Sequence, residues 1–189
     1  MTPDDLDWNR TLRDQWEFHW NHQIRARLQG LTDDEYFWSP VPGAWNVHPR
    51  GTSTAPIQAG GGDLTIDFAF PQPDPPPFTT IAWRLGHVIV GVLAARNAAH
   101  FGAAPASYEK WVYAASASEA LAQLEEQLAV WLAGVRALGE EGLRVPVGEK
   151  EPFFPESPMA DLVLHIHREL IHHLSEVCLL RDLYAGGRS

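Results

Sequence analysis

Four stretches of the chain place apolar side chains three or four positions apart, over about twenty residues each. Because an α-helix turns once in about 3.6 residues, this spacing collects the apolar groups on one helix face. We predict helix one over residues 6–28, helix two over 79–102, helix three over 118–139 and helix four over 157–184. Each helix needs a partner for its apolar face, which predicts that the four pack against one another.

Residues at the boundaries of these segments are typical of helix ends. Thr79 or Thr80 is the predicted N-cap of helix two, and Ser118 is that of helix three. Gly102 and Gly139 would end the same two helices, since glycine readily adopts the left-handed conformation that follows a last helical turn.

A segment rich in proline and glycine, at about residues 39–78, separates helices one and two. It is far longer than an ordinary connection, for which a median of about five residues is usual. Its stretch from Asp63 to Phe70 alternates polar and apolar residues and is predicted as a short strand. We therefore predict one domain over residues 1–189, an all-α four-helix bundle with a long crossover segment between helices one and two.

The charge balance argues against two classes of partner. Fourteen Lys and Arg against 24 Asp and Glu give a net charge of −10, which disfavours nucleic acid and anionic membranes. The start "MTPDDLDWNR" lacks the order of a signal peptide, and no apolar run is long enough to span a membrane. We expect a soluble cytoplasmic protein. Eight tryptophans would allow an exposed aromatic patch through which the chain forms a homodimer.

Helix four contains "HRELIHHLSEV", in which polar groups interrupt the apolar pattern. At about 100° per residue, His173 falls in the middle of the apolar face and Glu169 falls beside it. A buried carboxylate is costly unless it is paired or binds a metal, and the i, i+4 spacing brings both side chains within reach of one ion. His87 of helix two is the predicted third ligand. Small residues follow His87 on its own helix face and would leave room for a closely packed helix or a cleft: Gly91, Ala94 and Ala98.

The other polar residues of helix four fall outside this face. His165 and Glu176 lie at its margin on the helical wheel, His172 lies further round, and His167 lies on the opposite side. Cys178 also points away, and it is the only cysteine in the chain. A cysteine-based zinc cluster is therefore excluded, and any metal would bind nitrogen and oxygen ligands.

Two interpretations of the polar groups stay open at this point. In the first, His87, Glu169 and His173 bind a divalent ion, and two imidazoles with a carboxylate suit Zn²⁺, Ni²⁺, Fe²⁺ or Mn²⁺. In the second there is no metal, and Glu169 pairs with Arg84 across the core. Three protein ligands would leave an open coordination position, which is typical of a catalytic metal site.

An open position would serve a thiol or a water molecule, since a divalent ion promotes the deprotonation of either. A thiol predicts S-transfer to a small electrophile, or its isomerisation, whereas water predicts a hydrolase. The proline-rich segment would cover the pocket, with Trp45, His48 and Arg50 as candidates to contact an anionic substrate. A non-catalytic metal-binding module of the stress response is the third hypothesis.

Three segments resemble a known family: "WRLGHV" in helix two, "HIHRELIHHLSEVCLLRDLY" in helix four and "DDEYFWSPVPGAWNV" after helix one. They resemble the DinB-like (DinB/YfiT) superfamily of helical bundles, in particular the metal-binding domain of mycothiol-dependent maleylpyruvate isomerases. The resemblance implies zinc bound by His87, Glu169 and His173, and thiol-dependent transferase or isomerase activity. Many relatives use three histidines, which makes His165 or His172 an alternative ligand.

Overall fold

The computed structural model describes residues 6–187, which are mostly helical with a small three-stranded sheet. Four of the helices are long, and a short 3-10 turn, Gly148–Lys150, lies between the last two. In chain order the helices are α1 (residues 8–28, comprising Trp8–His19, Trp20–Ile24 and Arg25–Leu28), α2 (Asp33–Tyr36), α3 (residues 81–101, comprising Ile81–His87, Val88–Ala94 and Ala95–Phe101), α4 (Ala117–Arg144) and α5 (Met159–Gly186).

The middle parts of α1 and α3, Trp20–Ile24 and Val88–Ala94, are π-helical. A π-helical turn holds more residues than an α-helical turn, and such turns are frequent at functional sites. In α3 the π-helical part begins directly after His87. A helical wheel drawn with α-helical geometry therefore no longer describes which side chains share a face directly after His87.

The ends of α3 agree with the sequence analysis. The side chain of Thr80 accepts a hydrogen bond from the backbone N–H of Trp83, as an N-cap does. Gly102 follows the helix in the left-handed conformation, with φ of 70°. Helix α5 begins at Met159, and Pro158 precedes it with extended backbone angles.

Helix α4 differs from its predicted bounds. Its N-cap is Ser116 rather than Ser118, because the Ser116 side chain accepts from the backbone N–H of Glu119. Gly139, the predicted end, interrupts the helix with φ of 58° and ψ of −168°, but helical structure resumes as far as Arg144. The side-chain amide of Asn9 donates to the carbonyl oxygens of Val135, at 2.7 Å, and of Gly139, at 3.3 Å. A side chain of α1 therefore supplies hydrogen bonds to carbonyl groups next to the interruption of α4.

Helices α4 and α5 contact each other, and both contact α1 and α3. Because α5 packs against three other long helices, it is buried on more than one face. His167 and Cys178, which were predicted to face away from the core, are consequently only 6% and 7% exposed. His167 stacks on Trp16, with ring centroids 6.0 Å apart.

The tryptophans contribute mainly to this core. Trp16, Trp20, Trp83 and Trp131 are buried, whereas Trp8 is exposed. Their aromatic surface therefore stabilises the packing of the helices. The homodimer expected from the tryptophan content stays a prediction.

The proline-rich segment contains the sheet, so the all-α prediction is wrong in this part of the chain. The sheet comprises β1 (Val47–Pro49), β2 (Ile57–Ala59) and β3 (Leu64–Phe68), and only β3 coincides with the predicted strand. The strands are antiparallel in the order β1-β3-β2. The Nε1–H group of Trp83 donates to the carbonyl oxygen of Asp67 at 2.7 Å. The sheet is thereby attached to the first turn of α3, about one turn before His87.

None of the helices within residues 6–187 has the length and hydropathy needed to cross a lipid bilayer.

Candidate metal centre

The donor atoms of His87, Glu169 and His173 lie within 4.8 Å of one another. His87 lies on α3, and the other two lie one turn apart on α5. The rings of the two histidines are 4.8 Å apart and almost perpendicular. Along the chain, His87 is 82 positions from Glu169 and 86 positions from His173. The structure therefore brings together donors that are distant in the sequence.

The spacing of these donors fits a common ion. Two donors at about 2.1 Å from one tetrahedral ion lie about 3.4 Å from each other. The Nε2 atom of His173 lies 3.4 Å from Oε2 of Glu169. Two imidazole nitrogens and a carboxylate oxygen are ligands that divalent transition metals accept.

His87 is held in a form that is able to bind a metal. Its Nδ1 atom lies 2.7 Å from the hydroxyl oxygen of Tyr108, which leaves Nε2 for an ion. Burial, together with the neighbouring His173, Arg84 and Arg96, lowers the pKa of His87 to about 3. The ring is therefore neutral at physiological pH, as a metal ligand must be. Burial also raises the pKa of Tyr108, so its phenol stays protonated.

Gly91 explains how Tyr108 reaches His87. A Cβ atom at position 91 would collide with the hydroxyl oxygen of Tyr108. The small residue after His87 therefore makes room for a tyrosine from the connection between α3 and α4, and not for another helix.

His173 is oriented by a second carboxylate. Its Nδ1 atom donates to Oε2 of Glu176 at 2.9 Å, which leaves Nε2 on the side of Glu169. The same Oε2 atom lies 2.9 Å from Nη1 of Arg84. Arg84 thus pairs with Glu176, and the predicted pair between Arg84 and Glu169 is wrong. A carboxylate behind a histidine ligand fixes its tautomer and ring orientation in many metal sites.

The alternative ligands are placed less favourably. His172 forms a second group with His173 and Glu176, but its side chain is 62% exposed, and Arg84 already balances the charge of Glu176. His165 lies 3.6 Å from Glu169 and belongs to neither group of donors. The geometry therefore favours the set of His87, Glu169 and His173.

A sequence model of the DinB superfamily matches residues 15–177, which include all three donors. The chain belongs to the DinB superfamily. This confirms the resemblance carried by "WRLGHV" and by the last helix. Comparisons with curated proteins and with solved structures found no match.

Two neighbouring cavities lie in this region of the DinB-superfamily protein, and the smaller one is lined by two of the donors. The smaller has a volume of about 190 Å³, and its lining includes His87, Glu169 and Tyr108. The larger has a volume of about 450 Å³. Arg96 and His165 line both cavities, so the larger cavity adjoins the smaller one, which reaches His87 and Glu169. A small organic molecule fits within such volumes.

The loop between α4 and α5 lines the larger cavity. It contributes Phe153 and Phe154, which are 89% and 72% exposed. Glu151 in the same loop lies 3.3 Å from Nε of Arg96 and 3.2 Å from Nε2 of His100. These contacts attach the loop to α3 and place an apolar rim beside the cavity.

The three predicted substrate-binding residues lie elsewhere, since none of them lines either cavity. Trp45 packs against Trp83 with ring centroids 6.0 Å apart. His48 pairs with the buried Asp67 at 3.0 Å. The guanidinium group of Arg50 donates to glycine carbonyl oxygens between β2 and β3. All three side chains thus stabilise the sheet segment.

Sequence reasoning missed the groups that surround the donors. Tyr108 lies in a connection without a motif, and its only signal was the small residue at Gly91. Glu176 was placed at the margin of the helix face, although its i, i+3 spacing from His173 was a usable sign of contact. Arg96 had no signal of its own, because the larger of the two cavities that it lines is completed by the α4–α5 loop.

Proposed function

We propose that this chain is a divalent-metal-binding protein that acts as a thiol-dependent S-transferase, joining a small thiol through its sulfur to a small electrophile, or as a thiol-dependent isomerase of such an electrophile. The observation that carries the proposal is the convergence of His87, Glu169 and His173 beside a cavity. Three protein ligands leave a coordination position for another molecule, whereas structural zinc sites are normally closed by four. A divalent ion bound there would act as a Lewis acid and favour the deprotonated form of a thiol.

The chain's own thiol does not serve this role. Cys178 is its only cysteine, is 7% exposed and belongs to neither group of metal donors. Burial raises the pKa of its thiol, which disfavours the thiolate. The thiol of the proposed reaction therefore belongs to a small molecule that is separate from the protein and from the electrophile.

The residues around the cavity would bind and orient the reactants. Tyr108 and Glu176 hold the ring nitrogens of the two histidines, so their other nitrogens face the ligand site. Arg96 places positive charge between the two cavities, partly balanced by Glu151. The larger cavity would hold the remainder of the thiol or of the electrophile.

We also propose zinc as the ion and a four-helix bundle of α1, α3, α4 and α5 as the topology. Helices α4 and α5 each contact the other three long helices, which is compatible with a bundle. Nickel, iron and manganese accept the same donors. Elemental analysis of protein purified without a histidine tag would identify the ion.

Thiol binding to a cobalt-substituted sample tests the function. Mycothiol, bacillithiol or glutathione should produce a sulfur-to-metal charge-transfer band. Glu169→Ala should abolish the band, because two neutral histidines bind a divalent ion weakly. Cys178→Ala is the matched control and should keep the band, which excludes the protein's own sulfur as its source.

The outcome also separates the other functions. Cobalt protein that ignores all three thiols but hydrolyses a test ester or amide would be a metal-dependent hydrolase. Protein that binds cobalt and does neither would be a metal-binding module without catalytic activity.

A further inference from the structure

Tyr108 contacts His87 and lines the smaller cavity. Its hydroxyl oxygen is 2.7 Å from Nδ1 of His87, and Tyr108 lines the cavity together with Glu169 and Arg96. Tyr108 is therefore close enough to touch a ligand that lies beside the donors.

The direction of the hydrogen bond follows from the proposed metal site. If Nε2 of His87 faces an ion, the proton of the neutral ring is on Nδ1. The Nδ1–H group then donates, and the oxygen of Tyr108 accepts. The hydroxyl hydrogen of Tyr108 is not used in this contact. Among residues 6–187, the hydroxyl has His87 as its only hydrogen-bond partner.

We infer that Tyr108 donates its hydroxyl hydrogen to an oxygen atom of the ligand in the smaller cavity, and that this ligand is a carboxylate or carbonyl compound. The inference rests on the proposed metal-dependent function, because the metal sets the tautomer of His87. Positive charge from Arg96 in the lining favours an oxygen that carries or gains negative charge.

The backbone of α3 is adapted to this position of the hydroxyl. Gly91 lies in the π-helical part Val88–Ala94, and only the absence of a Cβ atom there lets the Tyr108 hydroxyl approach. A larger residue would displace the hydroxyl from both His87 and the cavity without removing it from the protein.

Acetate is the probe for this role of Tyr108. The experiment titrates acetate into cobalt-loaded protein and follows the visible absorption of the ion. Tyr108→Phe should weaken acetate binding about tenfold, since a hydrogen bond to a charged acceptor is lost. Gly91→Ala should weaken it similarly, because the hydroxyl is present but displaced. The cobalt affinity of each variant is measured first.

Tyr113→Phe is the matched control. Its hydroxyl donates to the backbone carbonyl oxygen of Tyr108 at 3.2 Å and is not part of the cavity lining. This variant should keep the acetate affinity of the wild type within about twofold.

The results distinguish this inference from the proposed function. Cobalt-loaded Tyr108→Phe with wild-type acetate affinity would overturn the role of Tyr108 and leave the metal site standing. If that variant does not fold, an unchanged acetate affinity of Gly91→Ala overturns it instead. A wild-type protein that binds cobalt but shows no response to acetate also overturns it. A wild-type protein that takes up no cobalt overturns the proposed function and this inference together.

Discussion

The Oε2 atom of Glu176 lies 2.9 Å from Nδ1 of His173, less than one turn away on α5. This contact decides which nitrogen of His173 faces Glu169. Because Arg84 holds the same carboxylate oxygen at 2.9 Å, the orientation of a ligand on α5 depends on a cation from α3. The proposed site thus includes groups that would not touch the ion.

Replacing Glu176 by glutamine should weaken metal binding by at least about tenfold, as loss of a carboxylate behind a histidine ligand does in other metal sites. The variant leaves Arg84 without its counter-charge and His173 with a weaker acceptor. Competition with a chromophoric chelator measures the affinity. His172→Gln is the control, because His172 is 62% exposed and should bind metal like the wild type. If His172→Gln lost as much affinity as Glu176→Gln, the ligand set would be centred on His172 instead.

Removal of the ion should lower the melting temperature. A ligand that binds only the native state at 100 times its dissociation constant adds about 2.7 kcal/mol to the free energy of unfolding. For a chain of this size, this corresponds to a shift of about 5–10 °C. Calorimetry with and without chelator, on untagged protein of known metal content, measures the shift. His87→Ala should show little response to the chelator, and an unchanged wild-type curve would argue against the site.

The pair of the buried Glu35 and the partly buried Arg181 should make stability depend on pH. Nε of Arg181 donates to Oε1 of Glu35 at 3.0 Å, and Nη2 donates to Oε2 at 3.2 Å. Burial by itself would raise the pKa of Glu35, but the bonds from Arg181 and Thr32 lower it. The stabilisation is therefore present above the usual pKa of a glutamate and is lost as the pH falls through the lowered pKa.

Glu35→Gln should accordingly be less stable than the wild type at pH 7, by about 1–3 kcal/mol. The difference should shrink as the pH falls from the usual pKa of a glutamate through the lowered pKa of Glu35, where the wild-type carboxylate becomes protonated. Urea unfolding over a range of pH measures it. Asp34→Asn, at an exposed position of the same short helix, should keep the wild-type pH dependence. A constant difference between Glu35→Gln and the wild type would show that charge is not the cause.

Gly139→Ala should destabilise the protein by about 1–3 kcal/mol. The backbone of Gly139 has φ of 58° and ψ of −168°, a conformation that residues with a Cβ atom rarely adopt. Denaturant unfolding measures the change. Gly186→Ala is the control, since within residues 6–187 a Cβ atom there would meet no group within 4 Å apart from its chain neighbours and the nearby backbone of its own helix. Equal stability of the two variants would mean that the interruption of α4 tolerates a side chain.

The positions of the long helices were predictable from the sequence because their causes are local. Thr80 and Gly102 bound α3 through contacts within a few residues of each end. The end of α4 was not predictable, because Asn9 of α1 satisfies the carbonyl groups at Gly139 and allows the helix to resume. The strands β1 and β2 have only three residues each, too few for a periodic pattern to show.

The sequence by itself determined a mostly helical chain, and it marked His87, Glu169 and His173 as candidate metal ligands, because polar groups at helical spacing stand out on an apolar face. Only the tertiary structure decided what surrounds them. Tyr108 and Arg84 reach the two histidines from other segments, and the loop between α4 and α5 forms the larger cavity. The physical reason is that spacing along one helix describes a single face, whereas α5 packs against three long helices at once.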